Sequence, residues 1–220
     1  MLHLFGLDPD SARTLTAPIA QHLELDLDSQ AHEGGWSLLQ AKGANADRFY
    51  QEAQLLFPRA FVADNPFSYA TDRLRKKRWR IALAESCTGG GLAAAFSAIS
   101  GVSDVFEGGV ITYSNRLKTA WLGVDPDTLD QHGAVSEAVI EQMVAGVLKS
   151  SRAECALATS GVAGPSGGTA AKPVGTVFVA SGSLQEGIFC ERLQLQGERA
   201  AIQRQSGFHA LRLLLQNHLL

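Results

Sequence analysis

The sequence predicts an α/β protein, a three-layer α/β/α sandwich over residues 67–220 preceded by a small α+β domain over residues 1–66. Three observations carry this. From Arg80 onward, short apolar runs alternate with glycine-rich turns and helical periodicities, the rhythm of strands and helices laid on one sheet. Ahead of that stretch Asn65-Pro66 breaks the pattern, because a residue before proline is steered away from helical backbone. Finally, 220 residues with 45% apolar and 19% charged side chains suit two small packed cores.

In the first domain, Leu2–Phe5 reads as a strand and the stretch after Pro9 as a helix, with Ala12, Leu15, Ile19 and Leu23 on one stripe and Asp8 or Asp10 as its cap. The alternating Leu25 and Leu27 and the Trp36–Ala41 run follow as strands, then a helix from Asn45 to Phe57 and a short strand over Ala60–Ala63. Phe67–Trp79 is a helix leading into the second domain. There the expected strands are Arg80–Ala84, Gly109–Tyr113, Cys155–Thr159, Gly175–Ala180 and Ile188–Leu195. The expected helices are Gly89–Ile99, Asn115–Leu122, Glu137–Ser150 and Arg199–Leu219. Ser136 is placed to cap the third of these, with Val135 packing on Ile140 as a hydrophobic staple.

Composition excludes several classes. No apolar run approaches the roughly 18 residues that cross a bilayer, and no basic and hydrophobic leader opens the chain, which points to the cytoplasm. Three scattered cysteines and six scattered histidines make neither a disulfide framework nor a metal-ligand spacing, so no metal site is expected. The first 70 residues carry nine acidic and four basic side chains, an unfavourable surface for nucleic acid. The basic run of Arg73, Arg75, Lys76, Lys77, Arg78 and Arg80 reads as a solvated helix C-terminus that complements the helix dipole, so no nucleic-acid partner is expected.

Three turns follow strand ends, where open α/β sheets bind ligands. The first, Ala84-Glu85-Ser86-Cys87-Thr88-Gly89-Gly90-Gly91, brings backbone N–H groups at a helix start beside Ser86, able to stabilise an oxyanion or a phosphate. Ser86 or Thr88 equally suits a plain N-cap. No phosphate-loop lysine motif occurs in the chain, and the turn around Ser86 does not fit GxSxG. The second turn, Tyr113-Ser114-Asn115-Arg116-Leu117-Lys118, sets Lys118 one turn into a helix capped by Ser114, from where it can lean back to the strand end. A desolvated neutral lysine can activate a serine, and Tyr113 can hold the lysine or relay a proton, whereas a solvated Lys118 would do neither. The third turn is Ser160-Gly161-Val162-Ala163-Gly164-Pro165-Ser166-Gly167-Gly168, which suits an anion nest with Lys172 as counter-charge, or a plain flexible loop. Arg199 and Arg204 bracket the first turns of the last helix, where they can grip phosphate or face solvent. Cys87 ranks below Ser86 as nucleophile because no histidine is placed to pair with it.

Four segments in order, AESCTGG at Ala84–Gly90, TYSNRLK at Thr112–Lys118, HGAVSE at His132–Glu137, and SGVAGPSGG with KPVGTV at Ser160–Val177, resemble the C-terminal domain of the CinA/PncC family. The resemblance covers about residues 70–220 and implies a cytoplasmic amidohydrolase of pyridine-nucleotide salvage. Such an enzyme turns nicotinamide mononucleotide into nicotinic acid mononucleotide and ammonia with no metal or organic cofactor. It implies Ser86 as nucleophile, Lys118 as its base and Tyr113 as a catalytic partner, with Ser160 and Arg199 as ligand contacts. The family's Gly-Asp-Arg is Gly197-Glu198-Arg199 here. Thr88, Gly89, Gly90, Gly161, Gly164, Gly167 and Gly168 complete the expected substrate-binding set, with oxyanion and phosphate still to be divided among them. Residues 1–66 resemble the KH-like domain that precedes this module in longer members. They contain no GxxG loop, so a non-catalytic role in scaffolding or homo-oligomer contacts is expected.

Overall fold

A computed structural model describes all of residues 1–220, which form two compact units, Met1–Pro66 and Phe67–Leu220. In the first unit, strands β1 (Leu2–Leu4), β2 (Asp26–His32), β3 (Trp36–Lys42) and β4 (Phe61–Val62) form an antiparallel sheet of order β2-β3-β1-β4. Helices α1 (Pro9–His22) and α2 (Ala46–Leu56) contribute Ala12, Ala20, Phe49 and Ala53 to a core that also holds Leu2, Leu4 and Leu39. Asp8 is the cap of α1, accepting from the N–H groups of Asp10 and Ser11. Strand β2 runs five residues past Leu27, a length hidden in the sequence because this edge strand carries few apolar side chains.

A neutral histidine is built into this first core. Trp36 Nε1 donates to His3 Nδ1 at 3.0 Å, so the ring proton sits on Nε2 and goes to the Ala63 carbonyl, also at 3.0 Å. Burial lowers the His3 pKa from 6.5 to about 4. The folded unit therefore keeps its full stability above pH 6.5 and loses it as the pH falls toward 4, since only the unfolded chain takes up the proton in that window. His3 alone should cost the unit roughly 2 kcal/mol by pH 5. Hydrogen exchange of the β1 and β3 amides at pH 7 and pH 5 is the check, and equal protection at the two would refute it.

The second unit opens with α3 (Pro66–Lys77) and carries strands β5 (Ile81–Glu85), β6 (Phe106–Ile111), β7 (Cys155–Gly161), β8 (Thr176–Ser183) and β9 (Gly187–Gln194). Their order is β6-β5-β7-β8-β9, with β5 parallel to β6 and β7 and the remaining pairs antiparallel. Central β5 and β8 are buried along their whole length, and edge strand β6 alternates. Helices α4 (Gly91–Ser97), α5 (Asn115–Leu122), α6 (Pro126–His132), α7 (Glu137–Ser151) and α8 (Arg199–Leu214) flank this mixed sheet, which gives the expected three-layer α/β/α fold.

Several boundaries differ from expectation. The first crossover helix starts at Gly91 because Gly89 and Gly90 take left-handed φ of 62° and 99°, which prolongs the turn. The next strand occupies Phe106–Ile111 and stops before Tyr113. Helix α6 was unexpected, although Asp125 caps it, Pro126 opens it and Gly133 closes it. The last helix turns π-helical over Leu215–Leu219. The basic run lies as expected at the C-terminal end of α3, with Lys76, Lys77, Arg78 and Arg80 exposed, while Arg75 also pairs with Asp104 and Asp72, Arg80 with Glu107, and Arg73 donates to the Leu219 carbonyl.

Helix α7 packs closely on the end of α5. A Cβ on Gly146 would lie 1.9 Å from the Leu122 carbonyl oxygen. Alanine would gain about 1 kcal/mol of helix propensity. The forced separation of two packed helices should outweigh that gain, so Gly146→Ala is expected to lower the unfolding free energy by about 2 kcal/mol. Urea denaturation checks it, and an unchanged midpoint would contradict the packing.

Candidate active site

Strand β5 lies between its two parallel partners, and its C-terminal end delivers Ser86 into a tight turn. The Ser86 N–H donates to the Thr159 carbonyl at 3.0 Å, extending the β5–β7 ladder by one residue. Gly89 N–H returns to the Ser86 carbonyl at 3.1 Å and Gly91 N–H to that of Thr88 at 3.1 Å. This folding leaves the Ser86 side chain 8% exposed at the strand end.

Lys118 comes to it from α5. Ser114 caps that helix by accepting from the Leu117 N–H, and Lys118 reaches back as its position one turn in allows. Its Nζ lies 3.0 Å from Ser86 Oγ, 2.7 Å from the Thr112 carbonyl oxygen and 3.5 Å from that of Tyr113. The residue is 1% exposed, and burial lowers its pKa from 10.5 to about 8. The two carbonyls can only accept. In the neutral amine they take the two N–H groups and leave the lone pair for the Ser86 hydroxyl, the arrangement of a general base. Cys87 is no competitor, because burial pushes its thiol up to about 12.

The start of α4 is occupied from within. Glu85, 1% exposed, accepts from the N–H groups of Gly90 (2.9 Å), Leu92 (3.1 Å) and Ala93 (2.8 Å) and from the Thr88 hydroxyl (2.6 Å). Thr88 Oγ1 also lies 2.7 Å from Thr159 Oγ1. The expectation that amides over Thr88–Gly90 face the reacting group is therefore corrected: Gly89 and Gly90 N–H groups are already committed. Those of Cys87 and Thr88 have no hydrogen-bond partner.

Tyr113 is 57% exposed, and its hydroxyl accepts from the Arg199 guanidinium at 2.8 Å, while only its carbonyl faces Lys118. Arg199, the first residue of α8, also donates to the Gly164 carbonyl at 2.8 Å, so one guanidinium joins the second and third turns. Ser160 is buried and donates to the Ala134 carbonyl at 2.8 Å. Gly161 and Gly168 admit the close approach of Val177 and Val174, whose atoms a Cβ would meet at 2.6 and 2.9 Å. Gly164 and Gly167 take positive φ in the loop between them. Lys172 does not serve this loop: its Nζ donates to the His132 carbonyl at the end of α6. A cleft of about 900 Å³ opens beside Arg199, lined by Ala163, Pro165, Val174 and Gln203. Arg204 lines a separate 290 Å³ cavity between α4 and α8.

With this geometry the chain matches the model of the CinA C-terminal domain over residues 67–218. The chain belongs to the CinA family. The "nicotinamide-nucleotide amidohydrolase PncC" of Pseudomonas putida is 49% identical to this CinA domain over 145 residues, which cover 66% of this chain and 90% of that protein. That of Escherichia coli K12 is 44% identical over 146 residues, covering 66% and 88%. The crystal structure of the competence/damage-inducible protein CihA from Agrobacterium tumefaciens superposes with a TM-score of 0.65 at 34% identity, covering 71% of this chain and 98% of that one.

Two residues of the site escaped the reading of the sequence. Glu85 had a legible signal, an acidic residue ending the apolar run Ile81–Ala84, where a buried carboxylate demands donors. Gln203, whose Nε2 donates to the Cys87 carbonyl at 2.7 Å across 116 residues, had none.

Proposed function

We propose that the chain hydrolyses the carboxamide of nicotinamide mononucleotide to nicotinic acid mononucleotide and ammonia, with Ser86 as nucleophile and Lys118 as its base. The observation that carries this is the 3.0 Å contact between a buried lysine amine and a serine hydroxyl at a strand end. The naming of its relatives as nicotinamide-nucleotide amidohydrolases gives the substrate class.

In this reading Ser86 Oγ attacks the amide carbon while its proton passes to Lys118 Nζ. The free N–H groups of Cys87 and Thr88 donate to the oxyanion. Lys118 returns the proton to the leaving nitrogen, ammonia departs, and the acyl-serine remains. Water then attacks the ester, again giving its proton to Lys118, and the freed Ser86 takes it back. Arg199, with Tyr113 fixing its guanidinium, supplies the charge for the substrate phosphate, aided by the backbone around Gly164, Gly167 and Gly168. Ser160 holds the Ala134 loop against the site.

Residues 1–66 contribute no group to this chemistry and are assigned a scaffolding role, including contacts in a homo-oligomer. No helix is long and apolar enough to cross a membrane, and a nucleotide substrate supports a cytoplasmic activity.

The test is ammonia release from nicotinamide mononucleotide by the wild-type protein and Ser86→Ala, with EDTA present. Turnover in the first and none in the second is expected. Undiminished turnover in Ser86→Ala would discard the serine mechanism, and none in the wild type would leave a nucleotide-binding module.

A further inference from the structure

The turn after Ser86 contains two peptide groups whose carbonyls are both held and whose N–H partners on the far side are both free. The Ser86 carbonyl accepts from Gly89 N–H, and the Cys87 carbonyl accepts from Gln203 Nε2 at 2.7 Å. A trans peptide is planar, with its C=O and N–H pointing in opposite directions, so holding the carbonyl of one residue aims the amide of the next. The first bond therefore aims the Cys87 N–H and the second aims the Thr88 N–H.

We infer that Gln203 is a positioning residue of the hydrolase, setting the direction of the Thr88 amide that receives negative charge from the reacting carbonyl. This rests on the amidohydrolase reading above. Three independent features lead to it. Glu85 already takes the N–H groups of Gly90, Leu92 and Ala93, so the α4 terminus offers no replacement donors. Gly89 follows Thr88 with a φ of 62° and little around it, the nearest atom to a Cβ there being Gln203 Nε2 itself, at 3.8 Å. Without the Gln203 bond, nothing else holds the Cys87 carbonyl. Last, Gln203 stands four residues after Arg199 on α8, on the same face. One helix therefore fixes both the guanidinium at Tyr113 and Gly164 and the amide direction beside Ser86.

Gln203 touches no reacting atom in this scheme, so the experiment must separate positioning from packing. Gln203→Met keeps length and volume but has no donor, and Gln203→Glu sets carboxyl oxygens against a carbonyl. Gln203 lines two cavities, so neither variant is forced into a packed core. Steady-state ammonia release should show kcat reduced about 10- to 100-fold in both, less than the effect of deleting an oxyanion donor outright. KM, the affinity for nicotinic acid mononucleotide and the thermal unfolding curve should stay at wild-type values. Unchanged kcat, a rise in KM alone, or a loss of kcat in step with loss of folded protein would each overturn the inference. A wild-type protein without turnover would instead overturn the amidohydrolase reading, and the control tells the two failures apart.

Discussion

Lys118→Met is expected to remove turnover of nicotinamide mononucleotide while making the fold more stable. Loss of the base from a serine–lysine pair should lower kcat by about 10⁴-fold, the scale on which members of such catalytic units act. Arginine cannot replace it, since a guanidinium stays protonated. The stability change has the opposite sign. The folded-state pKa of Lys118 is lowered from 10.5 to about 8 by burial, so below pH 8 the fold holds a charged amine that the unfolded chain would leave in water. That burden is fully present at pH 7 and is relieved as the pH rises from 8 toward 10.5. Removing the charge should raise the unfolding free energy at pH 7 by about 1–2 kcal/mol, after the carbonyls of Thr112 and Tyr113 lose their donor. Urea denaturation at pH 7 and pH 10 measures it, and a destabilised variant at pH 7 would contradict a strained lysine. In the wild type the same pKa predicts that kcat/KM rises with pH and levels above about 8, because the reactive form is the neutral amine. A profile already flat from pH 6 would mean that Lys118 is not the base.

The second large effect is on the turn itself. Glu85→Leu is expected to lower the unfolding free energy by about 3 kcal/mol or more and to abolish turnover with it. Its carboxylate is the acceptor for three backbone N–H groups and one hydroxyl in a buried site, and leucine would leave those donors stranded. Glu85→Gln keeps the volume and one acceptor oxygen but turns an NH₂ group toward backbone N–H donors, so it should fall between the two. Chemical denaturation of the three proteins gives the order. A Glu85→Leu protein as stable as the wild type would mean that the cap contributes nothing to the fold.

Much of the second unit could be read from local chemistry. Ser114 and Ser136 cap the helices they were expected to cap, since an N-cap depends only on the next three residues. The apolar runs that became β5, β7 and β8 were legible because a strand buried on both faces needs no alternation. Edge strand β2 was underestimated for the converse reason, and α6 was passed over although Asp125-Pro126 and Gly133 bracket it. Around the site, the motifs placed Ser86 and Lys118 beside the ends of strands, but that β5 and β6 are neighbours came only from the structure. Left undetermined was whether the lysine was solvated, because burial is a property of packing and not of residue type.

The sequence by itself determined the fold class, the positions of the three turns and the residue types able to do the chemistry, all of which follow from short-range periodicity and turn sterics. Tertiary structure alone decided which groups meet. Lys118 becomes a base because the fold withdraws water from it, Tyr113 turns its hydroxyl to Arg199, and Glu85 closes the helix start. The amide donors that remain are chosen by bonds spanning up to 116 residues, such as Gln203 to Cys87, which no local pattern records because hydrogen-bond partners are settled only when distant segments pack.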